Sequence, residues 1–266
     1  MTPSKMPVLF IGHGSPLNLI LDNDFTRSLK ELGGHLPRPK AILVISAHWL
    51  TDGTYVGCMD RPKTIHDFYG FPRELYRMAY PSPGAPDEGR FVSQLVRKVP
   101  VECGVEWGLD HGAWAILKHL YPQADIPVFE MSLDYTFNDW RPKPIQYHYD
   151  LAKELGELRN RGVLVIGSGN IVHNLGLLDF SNIEADPVPW AREFDEQVKE
   201  RLFSGNDRDL IHYARLGRSS SLAVPTLDHY LPMIYAVALR EKNESLVFTH
   251  EGFQYASISM RCFQIG

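Results

Sequence analysis

Eleven histidines run through these 266 residues, and several stand beside glycine next to a run of β-forming residues. Gly12-His13-Gly14-Ser15-Pro16 follows Val8-Leu9-Phe10-Ile11, and Ser46-Ala47-His48-Trp49 follows Ala41-Ile42-Leu43-Val44-Ile45. Gly167-Ser168-Gly169-Asn170-Ile171-Val172-His173-Asn174 follows Val163-Leu164-Val165-Ile166. Asp228-His229-Tyr230-Leu231-Pro232 precedes an apolar helical stretch at 233–239. Neutral imidazole is a good ligand for Zn(II) and Fe(II). Taken singly, His13, His48, His173 and His229 each suit a hydrogen-bonded turn residue better than a ligand. Three strand-end histidines plus a fourth are hard to explain as turns, so a shared mononuclear metal site is the better reading.

Two more histidines are candidates for a second role. His111 follows Asp110, which is placed to cap a helix. His111 then lies in the first turn, where the helix dipole disfavours imidazolium. His66 precedes Asp67, which either orients it or begins a turn. For His66 a pocket role and a solvated loop role weigh equally. His35, His119, His148, His212 and His250 lack such surroundings and read as surface or packing residues. Gly167-Ser168-Gly169-Asn170 lacks both the dinucleotide fingerprint and the lysine of a phosphate loop. Gly-x-Ser-x-Gly is absent, which leaves a nucleophile-elbow hydrolase without support.

The elements that must position these side chains are legible as patterns. The apolar runs above, together with Pro127-Val128-Phe129-Glu130-Met131, are short and continuous, as in strands of a parallel sheet buried on both faces. Leu246-Val247-Phe248-Thr249 reads as a further strand. Ala256–Met260 alternates, as a strand nearer an edge does. Trp190, Phe194, Val198 and Leu202 recur every four residues as one buried helical stripe; Phe91, Leu95 and Val99 mark a shorter helix. Residues 145–160 read as a helix stopped at Gly162, and 204–226 as an irregular segment. The sum is an α/β fold in a single domain over 1–266, a mostly parallel central sheet flanked by helices. Ligands of such sheets gather at the carboxyl ends of the strands, so histidines far apart in sequence converge there.

Composition bounds the partners. Hydrophobic residues make up 44% and charged residues 22%, which supports a sizeable core. A net charge of −5 gives no reason to expect nucleic acid or an anionic membrane as partner. No apolar run approaches the roughly 20 residues that span a bilayer, and the first residues read as leading into a strand rather than as a signal peptide. Cys58, Cys103 and Cys262 are few, odd in number and far apart. Neither a disulfide framework nor a zinc knuckle is expected, and a reducing, cytoplasmic location fits.

The ordered set of motifs resembles the class III (LigB-type) extradiol ring-cleavage dioxygenases, in particular their DOPA 4,5-dioxygenase branch. The matching stretches are GHGSP at 12–16, SAHW at 46–49, TIHDFYGFP at 64–72, YPSPGAP at 80–86, LDHGAW at 109–114, YPQADIPV at 121–128, GSGNIVHN at 167–174 and DHYLP at 228–232. They cover nearly the whole chain. The resemblance implies metal ligation by His13, His48 and His229. It makes His173 either a fourth ligand in a zinc-loaded site or the acid–base residue. It places His111 in the pocket, against substrate or dioxygen; His66, from its local sequence, stands as a further substrate-binding candidate. The wider class binds Fe(II) through two histidines and a carboxylate; His229 in the third position departs from that, as the DOPA branch does. The implied cofactor is one divalent metal, Fe(II) for dioxygenase activity, with Zn(II) also suited to a nitrogen-rich site. The implied substrates are a catechol and O2. With DOPA, the family reaction gives a seco-DOPA semialdehyde that can cyclise to betalamic acid. The competing readings are a zinc hydrolase of amides or esters on the same histidines and a non-catalytic binding module.

Overall fold

The computed structural model describes residues 5–136 and 141–266. In chain order its elements are β1 (Val8–Gly12), α1 (Asp24–His35), β2 (Ala41–Thr51), β3 (Thr54–Gly57), α2 (Pro86–Leu95), β4 (Val101–Gly104), α3 (His111–Leu120), β5 (Val128–Thr136), β6 (Arg141–Pro142), α4 (Ile145–Glu154) and α5 (Glu157–Asn160). There follow β7 (Val163–Gly169), α6 (Pro189–Ser204), α7 (Asp207–Ile211), α8 (Ser219–Ala223), α9 (Leu231–Ala238), β8 (Leu246–His250), β9 (Phe253–Gln254), β10 (Ile258–Ser259) and β11 (Cys262–Ile265).

The main sheet has the order β4-β3-β5-β2-β7-β1-β11-β8, with β6 added on β5. Its middle, β5-β2-β7-β1, is parallel. These are the four continuous apolar runs, and β1 and β7 are buried at every residue. Inward residues fall into two cores, one on each face. Leu43, Val165 and Phe10 pack on one side with α4, α6 and α9. Ile42, Leu164 and Leu9 pack on the other with α1 and α3. Antiparallel pairs finish the sheet: β11 against β1 and β8, and β3 against β5. Among the described residues no helix is long and apolar enough to cross a membrane.

Several expectations are corrected. β2 does not stop at Ile45 but runs to Thr51. Its register against β5 jumps from Ile45↔Met131 to Leu50↔Leu133, so Ser46-Ala47-His48-Trp49 bulges out opposite Ser132. The alternating stretch Ala256–Met260 forms only the short β10, because Tyr255 and Ala256 adopt positive φ; the strand beside β1 is β11. Residues 145–160 form two helices, broken around Leu155-Gly156. Gly162, at φ 86°, is the expected stop. Val99 lies beyond the end of α2, although it still packs on the core. Residues 204–226 are not irregular throughout, since α7 and α8 lie within them.

The cysteine reading is also overturned, because Cys58 and Cys103 form a disulfide. Distance in sequence is no guide here: β3 and β4 are parallel neighbours with Gly57 opposite Gly104, which brings Cys58 beside Cys103. Cys262 is buried and free.

Candidate metal centre

His13 follows β1 directly, and its N–H donates to Gly169 O (3.1 Å), clamping it to the end of β7. His48 projects from the bulge of β2. His229 arrives from the turn before α9, whose backbone lies against β7. A Cβ on Gly167 would stand 2.2 Å from Pro232 O, and one on Gly169 2.2 Å from His229 O. The glycines after this strand therefore serve close backbone approach. The Asn170 N–H donates to His229 O (2.9 Å) and fixes the junction.

These three imidazoles meet. Ligand nitrogens of His13, His48 and His229 all lie within 4.8 Å of one another. His13 and His229 are 5% and 7% exposed. Each ring turns its Nδ1 to an oxygen of a neighbouring side chain. The Ser168 hydroxyl donates to Gly112 O (2.5 Å), so Ser168 Oγ accepts at 3.0 Å from His13 Nδ1–H. His229 Nδ1–H donates to Asp228 Oδ2. His48 Nδ1 faces Asp67 Oδ2 at 3.4 Å. With Nδ1 of each ring turned to an oxygen, Nε2 is the nitrogen left to a ligand. His13 Nε2 and His48 Nε2 stand 3.2 Å apart. A cation about 2.0–2.1 Å from each nitrogen, at octahedral to tetrahedral angles, holds its ligands about 2.8–3.4 Å apart. The donor set fits a divalent metal, and the carboxylate and hydroxyl behind the rings are the partners that orient metal-bound histidines.

The electrostatics agree. Burial first, and then the neighbouring histidines, hold His13 and His48 well below the usual imidazole range. Burial and His229 do the same for His173. Neutral rings are the ligating form. Burial alone would raise Asp228, but attraction to His229 and hydrogen bonds with His229 and Thr226 outweigh it and keep Asp228 ionised.

Of the remaining candidates, His173 stacks face to face on His229, with centroids 3.4 Å apart. It is not one of the mutually close trio, and it groups instead with Asp228 and His229. His111 begins α3, with Asp110 as its cap: Asp110 Oδ1 accepts from Ala113 N–H. The His111 ring lies 4.1 Å from that of His48 and 5.6 Å from that of His13. His66 stands farther out, behind Phe68, and its Nε2–H donates to Met78 O (2.9 Å). His119 and His148 are buried packing residues, bonded to Asn18 O and Tyr235 Oη respectively.

Sequence reasoning missed the groups behind the imidazoles. Asp67 does not orient its neighbour His66 but contacts His111 and His48. Behind them lies an acid pair. Asp110 Oδ1 accepts from Ser46 Oγ–H (2.7 Å), and the Asp110 N–H donates to Glu130 Oε1 (2.9 Å). Trp107 Nε1–H donates to Glu130 Oε2, and Trp107 stacks on Trp49. Burial, then the charge of Asp110, pushes Glu130 well above the carboxylate range. The Asp-His dipeptides at 110–111 and 228–229 were the visible signal for part of this shell.

An α/β sheet that gathers three imidazoles over its strand ends has the donor group of a metal-dependent enzyme. Residues 13–260 match the family described as the catalytic LigB subunit of aromatic ring-opening dioxygenase. The chain belongs to this family and is an extradiol dioxygenase. Over the full chain it is 42% identical to the 4,5-DOPA dioxygenase extradiol of Escherichia coli K12, covering 97% of that protein. It is 33% identical to the enzyme of the same name from Mirabilis jalapa, over 92% of this chain and 90% of that one. A crystal structure of an uncharacterized protein from Escherichia coli K12 superimposes with a TM-score of 0.84 at 37% identity, covering 98% of this chain and 100% of that one.

Proposed function

We propose that the chain opens the ring of a DOPA-type catechol with O2, on Fe(II) held by Nε2 of His13, His48 and His229, within one catalytic domain spanning 1–266. The observation that carries this reading is the trio itself: ring nitrogens of His13, His48 and His229 within 4.8 Å of one another, with the Nδ1 atoms turned to Ser168, Asp67 and Asp228.

Bound there, Fe(II) would supply Lewis acidity towards the two catechol oxygens and the redox capacity that O2 chemistry needs. The chain's own residues do the rest. A ring nitrogen of His173, which is kept neutral, takes a phenolic proton as general base. Its place outside the trio favours this role over that of a fourth ligand. The His111 ring, 4.1 Å from that of His48, is the second site for holding or returning a proton. Phe68, at 8% exposure, packs against His111 and helps keep water from it. His66 serves as an outer wall of the substrate pocket. Zn(II) suits the same trio, but as a d¹⁰ ion it has no redox step. A zinc-filled protein binds catechol without opening it. The same reading places the enzyme in the cytoplasm; the Cys58–Cys103 bond counts against that compartment, where disulfides are rare.

The test is anaerobic loading of apoprotein with Fe(II), then addition of DOPA and air. Oxygen uptake with a yellow product is expected. An iron-filled protein that takes up no oxygen with any catechol, or a zinc-filled one that hydrolyses esters under nitrogen, refutes the proposal. His173→Ala should keep its iron while kcat falls about 10²–10⁴-fold; loss of the metal would make His173 a ligand.

A further inference from the structure

We infer that Asp67 is a positioning residue of this site: it holds His111 as the tautomer protonated on Nδ1, with the Nε2 lone pair directed at the reacting substrate. The inference rests on the extradiol reading above and adds to it a residue that acts only through another.

Both oxygens of one carboxylate grip one residue. Asp67 Oδ1 accepts from the His111 backbone N–H (2.8 Å), and Asp67 Oδ2 accepts from His111 Nδ1–H (2.8 Å). Backbone and ring of His111 are thus fixed together, at the first turn of α3. The same Oδ2 lies 3.4 Å from His48 Nδ1, so a single group sets the relative orientation of a ligand and an acid–base ring. The side chains of Asp67 and His111 are 17% and 9% exposed, which shields these bonds from competing water.

The loop that delivers Asp67 is itself anchored to the start of α3. Thr64 bridges Leu109, the Ile65 N–H donates to Leu109 O (2.8 Å), and the Leu109 N–H donates to Lys63 O (2.8 Å). Trp114 Nε1–H, one turn into α3, donates to Ile65 O (2.8 Å). Asp67 is thereby placed before any substrate arrives, which is what a positioning group requires.

An ionised carboxylate only accepts hydrogen bonds. Asp67→Asn keeps the shape and one acceptor, which can still take the His111 backbone N–H. Its amide NH2 then meets His111 Nδ1 as a donor. That forces the proton to Nε2 and removes the lone pair from the active site.

The experiment has a spectroscopic arm and a kinetic arm. In the zinc-loaded protein, long-range ¹H–¹⁵N spectra should show His111 protonated on Nδ1 in the wild type and on Nε2 in Asp67→Asn. In the iron-loaded protein, Asp67→Asn should lower kcat per bound iron about 10²–10⁴-fold, as a wrong tautomer does in a histidine–aspartate dyad. The KM for DOPA should stay within about threefold, because tautomer choice affects proton transfer rather than uniform binding. The pH profile of kcat should shift, and Asp67→Glu should restore part of the rate at the wild-type tautomer. An unchanged His111 tautomer in Asp67→Asn overturns the inference. So does loss of iron with kcat per remaining iron preserved, which would make Asp67 a support for His48 alone. A second bound metal that disappears with Asp67 also overturns it. If Asp67→Asn does not fold, Asp67→Glu decides by the same spectra. A wild-type protein that opens no catechol sinks the extradiol reading, while the spectra still decide the tautomer.

Discussion

Ser168 is a small residue with a large share in the metal centre. Its hydroxyl gives its only proton to Gly112 O and thereby receives the proton of His13. Removing that acceptor leaves His13 free to rotate or to change tautomer. Ser168→Ala is expected to weaken metal binding about 10–100-fold, measured by competition with a chelator, while the thermal midpoint changes little. The histidines proposed as ligands were readable by different signals: His13 by its glycines and a strand end, His48 by an apolar run just before it, and His229 by its place ahead of an apolar helix. Their Nδ1 partners were not, because an orienting group is a neighbour in space. Asp67 sits beside His66 in the chain yet serves His111, and Ser168 serves a ring from the other end of the sequence.

At the scale of elements, the site depends on how closely α9 and its preceding turn can approach β7. Gly169→Ala places a methyl group 2.2 Å from His229 O, and the backbone bearing a ligand must move. A loss of about 1–3 kcal/mol is expected from such overpacking, read from urea unfolding, together with a fall in bound metal after dialysis. Retained metal at unchanged stability would show that the turn adapts. The parallel middle of the sheet was legible from continuous apolar runs that are too short and too β-branched for helices. The bulge of β2 was hidden, since Ser46-Ala47-His48-Trp49 carries no glycine or proline to announce it. β3, β4 and β11 escaped because their four residues, TYVG, VECG and CFQI, mix glycine or polar residues into the run and leave no continuous apolar stretch.

At the scale of the whole molecule, two features set stability. The Cys58–Cys103 bond ties the edge strand β4 to β3, and Cys103→Ser should lower unfolding stability by about 2–4 kcal/mol. Equal urea midpoints for Cys103→Ser and the wild type would remove that role. The second feature is Glu130, 1% exposed and raised well above the ordinary carboxylate range by burial and by Asp110. A carboxyl raised in the folded state stabilises below its unfolded pKa, and that contribution is lost as pH rises through the folded value. Glutamine does not titrate. Between pH 5 and pH 8 the stability of Glu130→Gln should therefore gain on the wild type, by about 1.4 kcal/mol for each unit of elevation. Parallel thermal midpoints across that range would exclude a retained proton on Glu130.

The position of β1 in the sheet has a temporal consequence. This strand, which ends one residue before His13, lies between β7 and β11, and its antiparallel partner, Cys262–Ile265, lies far along the sequence. A ribosome must deliver Cys262–Ile265 before β1 can be enclosed on both sides. Contacts of such long range are the slowest to form. Any metal ion captured by the nascent chain would therefore meet scattered imidazoles, so the ion is best acquired as one of the last events of maturation.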